Sequence, residues 1–167
     1  MDLWWQIYLD IDRTVHIGAG IMWIGLLYYF NFVQVPAFAK MEPAARTAAI
    51  KVLVPRALLF FRMSAAATVV FGIAYIVGMA FATDGYFSTS GFKDISIGGV
   101  IGIIMASNVW FIIWPNQKKI IGAANAGTPP DPTWGRKGAL ASRTNVMLSV
   151  PMLFFMVAAR HLPSLWS

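Results

Sequence analysis

The chain contains two histidines, and their positions are the strongest chemical signal in it. His16 lies near the start of one apolar run and His161 lies at the end of another. Pro36 follows His16 by 20 residues, and Arg143 precedes His161 by 18 residues. At roughly 1.5 Å per helical residue, these separations are about 30 Å and about 27 Å. Both imidazoles are therefore predicted at nearly the same height, close to one end of a helical bundle.

Two histidines at one level on two helices are what a b-type haem with two axial imidazoles requires. Gly20, one turn from His16, would leave a flat surface for a large planar ring. Arg13 and Arg160 lie close in sequence to the two histidines and could meet propionate groups. The pattern predicts His16 and His161 as metal ligands, with the other three residues as cofactor-binding residues. The alternative is that they are ordinary polar residues of a membrane interface.

A second set of polar side chains lies towards the opposite ends of the same runs. Asn31, Asn108 and Asn145 fall within or at the edge of apolar runs, and Arg143 lies beside them. Amides in hydrocarbon are costly unless they are paired. They therefore either bond one another between helices or line a polar pocket for a small ligand or a second cofactor. Further polar residues extend the set: Gln34, Asn116, Gln117, Ser142 and Ser149.

The elements that carry these residues are predicted to be transmembrane helices. Of the 167 residues, 58% are hydrophobic and 12% are charged, whereas soluble domains carry about 25% charged residues. Four apolar runs are long enough to cross roughly 30 Å of hydrocarbon, at residues 14–35, 58–82, 95–114 and 145–162. The sequence predicts an all-α integral membrane protein, a four-transmembrane-helix bundle in which residues 1–167 form a single domain.

The distribution of charge predicts the orientation of the bundle. Ten of the thirteen Lys and Arg residues lie in or beside the first and third connections, and five of the seven acids lie at the other end. By the positive-inside rule, the basic connections are cytoplasmic and both termini are non-cytoplasmic. We expect the chain in the bacterial inner membrane, with both termini in the periplasm.

Several classes of function lack the residues that they need. The chain has no cysteine, which excludes disulfides, thiolate metal sites and covalent c-type haem. It has no Gly-rich phosphate loop, HExxH motif or Ser-centred nucleophile elbow, and no basic stripe suited to nucleic acid. No acid falls within the four predicted runs, which argues against a proton-coupled pump. We expect the bundle to lie in the lipid bilayer. Small residues spaced four apart on the predicted helices are compatible with helix association in a homo-oligomer.

Three segments resemble a known family. The run HIGAGIMWIGLLYYFNFVQVP at residues 16–36 looks like the opening helix of the membrane domain of the bacterial cytochrome-c-linked urate oxidases (membrane urate hydroxylases). Residues 107–118 and 142–161 resemble later parts of that domain. Family members have a longer membrane domain that is followed by a c-type cytochrome domain, whereas this sequence contains no CxxCH. We therefore expect a short stand-alone relative.

The resemblance strengthens the prediction of haem b, because His16 and His161 both fall in matched segments. Three hypotheses for function follow. The first is a membrane redox protein that binds haem between the first and fourth helices and transfers electrons near the periplasmic face. The second is oxidation of urate or another purine, with a separate periplasmic cytochrome c as acceptor. The third is a non-catalytic small subunit or assembly factor of a respiratory membrane complex.

Overall fold

The chain forms four long helices joined by short connections. The computed structural model describes residues 3–161, with side chains as far as residue 159. The helices are α1 (Leu3–Lys40), α2 (Pro43–Ala82), α3 (Ser90–Ala126) and α4 (Pro132–His161), and a short 3-10 turn covers Tyr86–Ser88. Within the described range no strand occurs, and all four helices are long and apolar enough to cross a membrane. The predicted all-α, four-helix architecture is confirmed, and the orientation of the termini stays a prediction.

The helices extend beyond the apolar runs in both directions. Helix α1 begins at Leu3 and α3 begins at Ser90, ahead of the runs that start near residues 14 and 95. The extensions place three acids inside helices: Asp10 and Asp12 in α1, and Asp94 in α3. Asp10 is exposed, whereas Asp12 and Asp94 are buried, with 3% and 1% exposed. The four predicted runs themselves contain no acid, and all three of these acids lie in the extensions outside them. Hydropathy detects only the segment that lipid would cover, whereas a helix continues wherever packing supports it.

Local residue chemistry explains where the helices begin and end. The Thr89 hydroxyl accepts a hydrogen bond from the Phe92 amide at the start of α3. Gly127 ends α3 in the left-handed conformation, with φ of 69°, which a residue without a Cβ adopts at little cost. Asp131 precedes α4 and accepts a hydrogen bond from the Thr133 amide. That bond holds the pKa of the exposed Asp131 carboxyl below its usual range.

Two of the helices contain a wide π-helical turn at equivalent places. Tyr29–Gln34 forms such a turn in α1, and Asn108–Ile113 forms one in α3. Each turn ends two residues before a proline, Pro36 or Pro115. The proline ring would clash with the carbonyl four residues earlier in a regular α-helix, and a wider turn relieves that clash. Each π turn adds one residue to the helix, so it changes which side chains face the bundle interior.

Packing divides the bundle into two antiparallel hairpins, α1 with α2 and α3 with α4. Glycines allow close approach in both hairpins: Gly78 lies against Leu9 of α1, and Gly98 lies against Met156 of α4. A common core closes the two hairpins onto each other. Its buried side chains come from all four helices: Trp23, Ile24, Leu27, Phe30, Val54, Leu58, Phe61, Ala65, Met105, Ala106, Val109, Ile113, Ala141 and Met152.

The two ends of the bundle differ in charge and hold different polar groups. We call the end with residues 41–42 and 127–131 the basic end, and the end with residues 83–89 the acidic end. His16 lies in the half of α1 towards the acidic end, and Asn31 lies towards the basic end. The candidate functional residues therefore form two separate groups.

Candidate functional site

His16 is held against helix α2. Its Nδ1 lies 2.8 Å from the backbone oxygen of Thr68. A Cβ added to Gly72 would lie 2.9 Å from Cε1 and 3.0 Å from Nδ1 of the imidazole, so only glycine fits there beside the ring. Helix α2 presents a carbonyl and a glycine one turn apart, and the half-buried imidazole lies against both. In the sequence, the four-residue spacing of Ser64, Thr68 and Gly72 on α2 indicates only close helix packing. In the structure, Thr68 and Gly72 also contact His16.

The hydrogen bond to Thr68 determines the tautomer of a neutral His16. A carbonyl oxygen can only accept, so Nδ1 carries the proton and Nε2 carries the lone pair. No described residue forms a hydrogen bond with Nε2. Histidines that bind metals commonly donate their second ring nitrogen to a carbonyl in this way, which orients the ring and raises its basicity. Nε2 is therefore the ring nitrogen through which His16 could bind a metal.

The other residues predicted at this end have varied surroundings. A Cβ on Gly20 would lie 3.8 Å from the Thr68 side chain, so the bare face of this glycine is turned towards α2. Arg13 forms an ion pair with the exposed Asp10, with Nη2 and Oδ1 2.7 Å apart. The side chains of Arg160 and His161 lie outside the described residues. Whether His16 and His161 face each other therefore stays a prediction.

A buried carboxylate, Asp12, lies near His16, and the sequence patterns do not identify it as a site residue. Asp12 lies one helical turn before His16 on α1 and is 3% exposed. Its Oδ2 has no hydrogen-bond partner among residues 3–159. The i, i+4 spacing of an acid and a histidine was the available signal. Asp12 lies ahead of the apolar run, so hydropathy alone does not place it in the helix.

The polar residues towards the basic end form two bridges between helices. Asn108 on α3 donates to Asn145 on α4, with Nδ2 and Oδ1 2.8 Å apart. Asn145 is fully buried and donates in turn to the Met105 carbonyl at 2.9 Å. Asn31 on α1 instead donates to the Ser142 hydroxyl at 2.8 Å. The predicted amide set is thus brought together as two pairs and not as a single cluster of three.

A cavity of about 110 Å³ lies beside the Asn31–Ser142 bridge. The π turn of α1 contributes Gln34, which is 8% exposed and whose Oε1 has no hydrogen-bond partner among the described residues. Of the predicted pocket residues, Asn31 and Arg143 line the cavity, and Asn108 and Asn145 do not. The lining residues come from all four helices: Phe30, Asn31, Gln34, Val35, Val54, Leu58, Phe61, Ile113, Gln117, Gly138, Ala139, Ser142 and Arg143.

Comparison with known proteins identifies the family. The family model for the urate oxidase N-terminal domain matches residues 44–167, which include Arg143, Asn145 and His161. Helix α1, with His16 and Asn31, precedes the matched range. No curated protein and no solved structure gives a significant match. The match covers most of the sequence and confirms the resemblance seen in its motifs, so the chain belongs to the urate oxidase N-terminal family.

Proposed function

We propose that the protein is a membrane redox protein that holds b-type haem through His16 and His161. The haem would lie towards the acidic end, which the positive-inside rule places at the periplasmic face of the inner membrane. A periplasmic cytochrome c or a respiratory complex is the proposed electron-transfer partner. The observation that carries the proposal is the 2.8 Å bond between His16 Nδ1 and the Thr68 oxygen. It leaves Nε2 as the only ring nitrogen with a free lone pair.

Of the two proposed ligands, His16 is the one whose surroundings are described, and its neighbours would hold it in place for a haem. The Thr68 carbonyl orients the His16 ring, and Gly72 provides the space that the ring occupies. When bound, the haem supplies reversible one-electron chemistry, whose potential depends on its axial ligands and on burial. Asp12 places a carboxylate one turn from His16, where a negative charge would favour a positively charged centre.

Replacing His16 by alanine is expected to remove the low-spin bis-histidine haem spectrum of the protein purified in mild detergent. Thr68→Val is the matched control, because it removes the hydroxyl and keeps the backbone carbonyl that holds His16. It should retain the Soret band and its shift on reduction. Haem absent from both natively purified and haem-reconstituted wild-type protein would reject the proposal, as would an unchanged spectrum in His16→Ala.

A second candidate function is the oxidation of urate or a related purine, with a separate cytochrome c as acceptor. Family membership and the polar cavity near the basic end favour it. Gln34 lies 18 residues from His16 on the same helix, or about 27 Å along its axis. The cavity and the proposed haem site are therefore separate, and each can be tested without the other.

Membranes that contain the protein are expected to consume urate when oxidised cytochrome c is supplied, and to reduce the cytochrome in step. Membranes from the same cells without the gene serve as the control. Equal rates in the two preparations, with haem present in the protein, would reject this second function and leave the first. Absence of both haem and turnover, together with co-purification of respiratory subunits, would support the third hypothesis, a small subunit or assembly factor.

A further inference from the structure

The cavity near the basic end has polar groups that the fold itself does not use. Asn31 donates a hydrogen bond to Ser142, and this pair closes one side of the cavity. Gln34 and Arg143 also line it, and neither has a hydrogen bond or ion pair among the described residues. One is an amide in the π turn of α1 and the other is a guanidinium on α4. A ligand between them would contact both hairpins of the bundle.

Gln34 indicates a ligand that donates a hydrogen bond. Its side chain is more than nine-tenths buried, and its Oε1 faces no donor in the described part of the chain. A buried carbonyl oxygen without a donor is unfavourable, and natural proteins rarely leave one so. The amide oxygen can only accept, so its missing partner carries an N–H or O–H group.

Arg143 indicates a ligand with negative charge. Arg143 is exposed at the edge of the cavity and forms no ion pair with the side chains of residues 3–159. Most of the lysines and arginines lie at this end, so the cavity is in a region of positive charge. A guanidinium that is always charged favours an oxyanion at hydrogen-bond distance.

The size and apolar walls of the cavity indicate a small ring. Phe30 and Phe61 line it, with ring centroids 5.2 Å apart and planes at 89°. A cavity of about 150 Å³ lined by apolar side chains accommodates benzene. This cavity is smaller, about 110 Å³, but partly open, so a ring larger than benzene would extend beyond it. A compact ring with its polar edge towards Gln34 and Arg143 matches this mixture of aromatic and polar walls.

We propose that this cavity binds a small anionic heterocycle whose ring N–H donates to Gln34 Oε1 and whose oxyanion pairs with Arg143. The inference rests on the second proposed function. It locates the binding site of a purine-like substrate and names the groups that recognise that substrate. Binding is nevertheless measurable without haem, cytochrome or turnover. The site and the reaction can therefore fail separately.

Three probe molecules separate the two recognition elements. Urate carries both N–H groups and a negative charge, hypoxanthine carries N–H groups without the charge, and benzoate carries the charge without an N–H. Binding to the full chain in lipid nanodiscs is measured by calorimetry at low ionic strength. Urate is expected to bind at least tenfold more tightly than either of the other two. Equal affinity for urate and benzoate would overturn the role of Gln34, and equal affinity for urate and hypoxanthine would overturn that of Arg143.

Variants at Gln34 distinguish a binding role from a structural one. Gln34→Leu should weaken urate binding at least tenfold and raise thermal stability without ligand, because it removes an unpaired buried oxygen. Gln34→Glu keeps the acceptor and adds negative charge, so it should lose urate and retain hypoxanthine. Asn116→Leu is the matched amide control, since Asn116 bonds the Ile112 carbonyl of its own helix. Unchanged urate affinity in both Gln34 variants would overturn the proposal.

Arg143→Gln should lower urate affinity at least tenfold and leave hypoxanthine binding unchanged. Arg46→Gln, which removes an exposed charge outside the cavity lining, is the charge control and should have little effect. Urate binding that depends on Gln34 and Arg143 supports the site even where no urate is oxidised. Urate-dependent reduction of cytochrome c that survives both substitutions would overturn the site and leave the second function standing.

Discussion

Replacing Asn145 by leucine is expected to lower the free energy of unfolding by about 1–2 kcal/mol. Asn145 is fully buried, accepts from Asn108 and donates to the Met105 carbonyl, so it joins α3 to α4 through two hydrogen bonds. Leucine has a similar size but leaves the Asn108 amide unpaired between the helices. The measurement is denaturant-induced unfolding in mixed micelles, followed by tryptophan fluorescence.

A double-mutant cycle separates the Asn108–Asn145 bond from the general effect of each substitution. The double variant Asn108→Leu/Asn145→Leu removes both partners of the bond. Its loss in free energy of unfolding should therefore be smaller than the sum of the two single-variant losses. Asn116→Leu breaks a bond within one helix and should cost about 0.5 kcal/mol or less. Additive costs in the cycle would show that the two amides do not stabilise the bundle through their mutual bond.

Replacing Gly72 by alanine is expected to displace the His16 ring and to weaken the α1–α2 hairpin by about 1–3 kcal/mol. The new methyl carbon would lie 2.9 Å from Cε1 of the imidazole, well inside van der Waals contact. The ring would have to move, and its 2.8 Å bond to the Thr68 oxygen would break. We therefore expect loss of the low-spin haem spectrum together with a lower midpoint of thermal unfolding.

A second substitution tests whether the clash with His16 is the cause. In the His16→Ala background the ring is absent, so Gly72→Ala should no longer reduce stability. Gly18→Ala is the matched control, because a Cβ at Gly18 would meet nothing within 4 Å. A Gly72→Ala variant as stable as the wild type, with its haem spectrum intact, would contradict the position that the structure gives to His16.

The amide network shows why pairing was harder to predict than the helices. Asn31, Asn108 and Asn145 all form hydrogen bonds between helices, yet Asn31 donates to Ser142 and only the other two bond each other. Depth follows from counting residues along each helix. Partner choice depends on the direction of each side chain around the helix axis. Each residue turns the helix by about 100°, so the extra residue of a π turn redirects every side chain that follows it.

Gln34 shows the same difficulty at the cavity. It lies at the end of the π turn in α1, where the periodicity of a regular α-helix does not apply. Its burial and its unpaired oxygen were therefore not predictable from spacing alone. Arg143, in contrast, lies in an uninterrupted stretch of α4 and lines the cavity, and its role in a ligand pocket stays a prediction.

Composition and residue order by themselves determined the number of helices, their apolar composition and membrane-spanning length, the separation of charge between the two ends and the resemblance to a urate oxidase family. These are properties of hydropathy, charge and local motifs, which add up along the chain without reference to contacts. Only the tertiary structure decided that His16 lies on Thr68 and Gly72, that Asp12 is buried and that Gln34 lines a cavity. Those outcomes depend on the rotation and approach of whole helices, which glycines, prolines and the two π turns fix together.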